Sequence, residues 1–197
     1  WIPSTWTRPS GPRLQAGCDP RSRSGGGGYA PSVALGPSDG ARQAREVLRR
    51  VGVALVFIPS IPKSHCNGLT LWEGGRAIIG ISDRGKREDI FWFTVFHELS
   101  HVLHDDRDAI YLEGGDRDGR HEAEERADAF ATTTLVPASE AWRLAEIDSL
   151  ADLDRVAKHL GIGPGVILGR LQHEGLKPHS WGANRLRRVE VRASPSD

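Results

Sequence analysis

The sequence has no methionine and only two cysteines, Cys18 and Cys66, in its 197 residues. Two cysteines cannot build a disulfide scaffold or a four-cysteine zinc site. Their scarcity fits a reducing compartment, and a cytoplasmic location is expected. A chain without methionine even at position 1 is expected to be a fragment, a trimmed product or a mis-bounded reading frame, with an upstream module as the candidate loss. Net charge is also lacking, since 26 Lys and Arg balance 26 Asp and Glu. That argues against whole-surface attraction to nucleic acid or anionic lipid. No long apolar run exists: "GVALVFIP" is far shorter than the roughly 20 residues that span a membrane. The opening "WIPSTWTRPSG" lacks the basic-then-apolar order of a signal peptide.

Residues 1–38 are rich in Gly, Pro, Ser and Arg and are expected to be a disordered or artefactual leader, because they cannot bury enough apolar surface to offset ordering entropy. A globular domain is expected over 39–192, followed by a frayed tail at 193–197. Within it, "SDGARQAREVLRRVG" predicts a helix and "VALVFIP" a strand. "LTLW-EGG-RAIIGIS" predicts a hairpin. "DIFWFTVFHELSHVLH" predicts the main helix, with Asp89 as N-cap, and "HEAEERADAFATTTLV" a second. "SLADLDRVAKHLG" and "GPGVILGRLQHEG" predict a helix pair over 145–176, each helix ending at glycine. Strands and helices do not alternate regularly, so the expected class is α+β.

The main helix carries H-E-x-x-H at His97, Glu98 and His101. On a wheel of about 100° per residue, His101 lies about 40° from His97. Phe91, Trp92, Val95, Phe96, Leu99, Val102 and Leu103 fall on the opposite half. Two histidines one turn apart can chelate one Zn2+ at roughly 2.0–2.1 Å, and the glutamate can take a proton from a water that the metal acidifies. His104 sits about 10.5 Å along the axis from His97, so it is expected in a supporting or structural role.

A catalytic zinc needs a third protein ligand. "HVLHDDRD" lacks the glycine and histidine of the metzincin extension, which directs the search to a carboxylate. On the second helix, Ala123, Ala127, Phe130, Ala131 and Leu135 define an inner arc that contains Glu124, whereas Glu122 and Glu125 look solvated. A buried carboxylate needs a cation. Asp128, one turn on, can receive the free N–H of a zinc-bound histidine. His121 is a weak spare ligand.

"FWFTVFHELSHVLH", "EERADAFATTTLVP" and "LGIGPGVILGRLQHEGLKPHS" together resemble the ImmA/IrrE family of metallopeptidases, with the peptidase half of HigA-type antitoxin proteins as the closest kind. The resemblance covers about residues 41–192. It implies a minimal zincin-like fold, Zn2+ as cofactor, His97, His101 and Glu124 as ligands and Glu98 as general base. It also implies a protein substrate of the helix-turn-helix repressor kind, with a toxin as a further partner. Ser100 stands where the family more often has Gly or Ala, and Arg126 where it commonly has Glu.

Other features point less sharply. The 145–176 pair itself reads like a helix-turn-helix, but closing the peptidase core is the favoured use, and direct DNA binding by this chain is not expected. His173 or Arg170 is a candidate to steady the oxyanion of the tetrahedral intermediate. The strand Arg76–Ser82 is a candidate edge for an extended substrate. Cys66 is expected to be structural. The competing expectation is a non-catalytic antitoxin or transcriptional regulator that uses the fold for partner binding.

Overall fold

A computed structural model describes residues 37–58, 66–82, 87–104, 111–112 and 120–189. Nearly all of the leader and the whole 193–197 tail lie outside the described residues; the leader's last two positions, Pro37 and Ser38, open the first helix.

Helix α1 (Pro37–Arg50) leads into strand β1 (Val53–Ile58). Strands β2 (Gly68–Glu73) and β3 (Arg76–Ser82) form a hairpin. Its two-residue turn, Gly74–Gly75, has both φ angles positive at 55° and 78°. Glycine adopts these without a Cβ clash, and their twist matches that of paired strands. A two-residue strand, β4 (Tyr111–Leu112), completes a sheet of order β1-β3-β2-β4. β1 runs parallel to β3, while β2 is antiparallel to both β3 and β4. The expectation that β3 offers a free edge is therefore wrong: β3 is hydrogen-bonded on both sides. The parallel return of β1 is a long-range pairing that no local pattern announces.

Strand alternation places Val53 and Leu55, Ala77, Ile79 and Ile81, and Gly68 and Thr70 at buried positions. They share a core with Phe91, Trp92, Val95 and Phe96 of helix α2 (Glu88–His104). Leu103, expected on this apolar side, is 59% exposed in the last turn. Helix α2 begins at Glu88, so Asp89 is not its N-cap. Asp89 lies inside the first turn, where Arg87 Nη2 donates to its Oδ2 at 2.7 Å.

Helix α3 (Arg120–Leu135) turns Ala123, Ala127, Ala131 and Leu135 inward. Small side chains every fourth residue let α3 approach α2 closely. A short helix α4 (Trp142–Ala145) precedes α5 (Leu150–Leu160), which opens on a Ser149–Asp152 capping box and ends at Gly161, φ 69°. The capping box satisfies two otherwise orphaned N–H groups. Helix α6 (Pro164–His173) buries Val166, Ile167, Leu168 and Leu171 against its neighbours. It therefore lacks the exposed polar face that a recognition helix needs.

The glycines of α6 have a packing use. A Cβ at Gly165 would overlap the Glu88 carboxyl, and one at Gly169 would overlap the Asp89 carboxyl. The segment after α6 closes over this contact. Glu88 N–H donates to Arg187 O at 3.0 Å, Arg87 bridges to Arg188, and Val189 is buried.

Candidate metal centre

The middle turns of α2 meet the first half of α3 through side chains that carry lone pairs. His97, His101 and Glu124 each offer one ligand atom, all within 4.8 Å of one another. His97 Nε2 lies 3.1 Å from His101 Nε2 and 3.1 Å from Glu124 Oε2. His101 Nε2 lies 3.8 Å from Glu124 Oε1. Ligands held tetrahedrally at about 2.0–2.1 Å from one ion are about 3.3 Å apart, so the three atoms fit a divalent cation. Both histidines are buried and Glu124 is half-buried.

The tautomer of His97 follows from its outer nitrogen. Nδ1 lies 2.8 Å from Asp128 Oδ1. With the proton donated there, the neutral ring keeps its Nε2 lone pair aimed at the cluster. Burial opposes a charge on His97, but Glu124, Glu98 and Asp128 outweigh it and raise its pKa to about 9. Carboxylates thus make this pocket seek a cation, and with no metal a proton on His97 fills that need.

Glu98 is 2% exposed. Thr70 Oγ1, from β2, donates to its Oε2 at 2.7 Å. Neither Thr70 nor Gly68 beside it stands out in the sequence, because their link to α2 is a long-range contact. Cys66 donates its thiol to the Gly68 carbonyl, an anchor at the start of β2.

The other candidates are placed elsewhere. His104 Nδ1 faces Ser100 O at 3.0 Å and Ser100 Oγ at 3.2 Å, and its ring edge meets Phe130. The serine at position 100 thus has a partner that glycine would lack. His121 is exposed and pairs with Glu125 at 3.1 Å. Arg170 donates through Nε to Glu174 and through Nη1 to Thr132 O and Val136 O, the carbonyl end of α3. His173 is exposed in the last turn of α6. Neither Arg170 nor His173 belongs to the histidine–glutamate cluster.

A model of a peptidase family, described as the IrrE N-terminal-like domain, matches residues 49–172. The chain belongs to this family. The match runs from the end of α1 through α6 and includes the whole cluster. It places the chain in the ImmA/IrrE family of metallopeptidases and names no subgroup within it. Comparison with curated proteins gives no match. The α+β architecture, with its small mixed sheet and helix-borne histidines, is that of a small zincin-like domain. Among the described residues, no helix is long and apolar enough to cross a membrane.

Proposed function

We propose that the chain is a zinc-dependent endopeptidase in which His97, His101 and Glu124 hold the metal and Glu98 is the general base. The observation that carries this reading is the convergence of two imidazoles and one carboxylate within 4.8 Å. The acid that follows His97 in the chain is buried beside that cluster. Two histidines and a carboxylate are a donor set of catalytic zinc, which leaves a coordination position open.

Zinc, when bound, acidifies a water and polarises the scissile carbonyl. Glu98 takes the proton of the attacking water and passes it to the leaving amine. Asp128 keeps His97 in the tautomer that presents Nε2. An extended substrate pairs with the outer strand β4, since β2 and β3 are each paired on both sides.

For the substrate we propose a helix-turn-helix repressor, on the strength of the family resemblance, with a toxin as a further partner and the cytoplasm as the setting. The burial of α6 favours a protein partner over DNA. The test is Glu98→Gln, assayed for zinc and for cleavage of a co-purified candidate repressor. The variant is expected to keep its zinc and lose at least about 100-fold in rate. Full cleavage by Glu98→Gln contradicts the mechanism. A repressor that wild type binds and never cuts contradicts the enzyme.

A further inference from the structure

A general base has to be held still, and a glutamate on a helix has three free torsions. Ordering such a side chain costs conformational entropy. In this protein the restraint comes from the neighbouring strand. Thr70 Oγ1 faces two acceptors on one residue, Glu98 Oε2 at 2.7 Å and Glu98 main-chain O at 3.1 Å. The hydroxyl has a single proton, and the shorter, charge-assisted contact to the carboxylate is the stronger claim on it.

Two residues earlier on the same strand face, Gly68 lies under the other oxygen. A Cβ there would stand 2.5 Å from Glu98 Oε1 and 2.5 Å from Thr94 Cγ2. The carboxylate therefore has a donor against one oxygen and a missing side chain against the other. Thr70 cannot drift away from it. It is buried, and its backbone is in register with Ile79 on β3 and Tyr111 on β4.

We infer that Gly68 and Thr70 are positioning residues that seat the Glu98 carboxylate for proton transfer, the glycine by the space it leaves and the threonine by the hydrogen bond it donates. The inference rests on the general-base reading of Glu98. Neither residue touches the reacting atoms; both act through Glu98.

The test uses the full zinc-loaded chain labelled with carboxyl-13C glutamate. The Glu98 carboxyl resonance is identified by its loss in Glu98→Gln. In Thr70→Val, which removes the donor at nearly constant volume, this resonance is expected to move, with zinc content unchanged. In Thr70→Ser, which keeps the donor, it is expected to return towards the wild-type position. Gly68→Ala is an independent variant that should also displace it. Against a pool of quenched fluorescent peptides, Thr70→Val is expected to lower kcat by about 10- to 100-fold and to change KM by less than about twofold. Thr70→Ser should recover most of the loss. A Glu98 resonance unmoved in both Thr70→Val and Gly68→Ala overturns the seat, as does a Thr70→Val kcat within about twofold of wild type. If wild type cleaves no peptide, the peptidase reading is what fails, and the resonance alone decides whether the seat exists.

Discussion

In its middle turns α2 carries His97, Glu98 and His101; in its first turn it carries Glu88 and Asp89. Both regions bury acid, and they treat it differently. Around His97 the ligand atoms of three side chains converge within 4.8 Å, a donor set that suits a cation. Among the described residues, Glu88 belongs to no such group of three donors. The carboxyl accepts from the Gly165 N–H and rests in the space left by Gly163 and Gly165. Its Oε1 has no hydrogen-bond partner among the described residues. Burial pushes the Glu88 pKa above the ordinary 4.5, and Arg187 offsets only part of that. The lesson is that burial of an acid does not by itself mark a metal site. Convergence of donors does. Glu88 instead keys α6 and the C-terminal segment onto the start of the helix that bears the histidines.

Gly165→Ala should break the structural end alone. Alanine gains about 1 kcal/mol in helix propensity over glycine. The added Cβ, however, would stand 2.9 Å from Arg185 O and overlap Glu88. Main chain cannot swing aside as a side-chain tip can, so the net effect should be a loss of about 1–3 kcal/mol. Chemical denaturation measures this, and zinc affinity should stay at the wild-type value.

Glu88→Gln should show a smaller, pH-dependent effect. A carboxyl whose folded pKa is raised contributes its full stability below the unfolded value, near 4.5. That contribution is lost as pH rises through the folded pKa. The neutral amide does not suffer this loss. The Tm of Glu88→Gln relative to wild type should therefore climb as pH rises above about 4.5. A difference that stays flat or falls over that range would remove burial of the charge as the cause.

His104→Ala should do least. His104 is exposed, and its contacts among the described residues are to Ser100 and Phe130. Stability should change by less than about 0.5 kcal/mol, and zinc affinity should not change. A marked drop in affinity would bring His104 into the centre.

Much of this was readable from local pattern. The two central helices, the Gly-Gly hairpin and the helix pair α5–α6 follow from spacing and from glycine placement. The inward phase of Glu124 follows from Ala123, Ala127 and Ala131, all of which are buried. What was not readable depends on contacts distant in sequence. The pairing of β1 with β3, the brief strand β4, the Thr70 contact to Glu98 and the fit of Glu88 against Gly165 all join residues far apart in the chain. A helical wheel also misplaced Leu103, which is 59% exposed although Val102 beside it packs against the core.

The most direct test of the central claim is zinc content and affinity of wild type and Glu124→Ala, measured by native mass spectrometry with chelator competition. The account predicts one zinc per wild-type chain and an affinity at least about 100-fold weaker in the variant, with the fold retained. Equal stoichiometry and equal affinity would contradict it and would remove Glu124 from the centre.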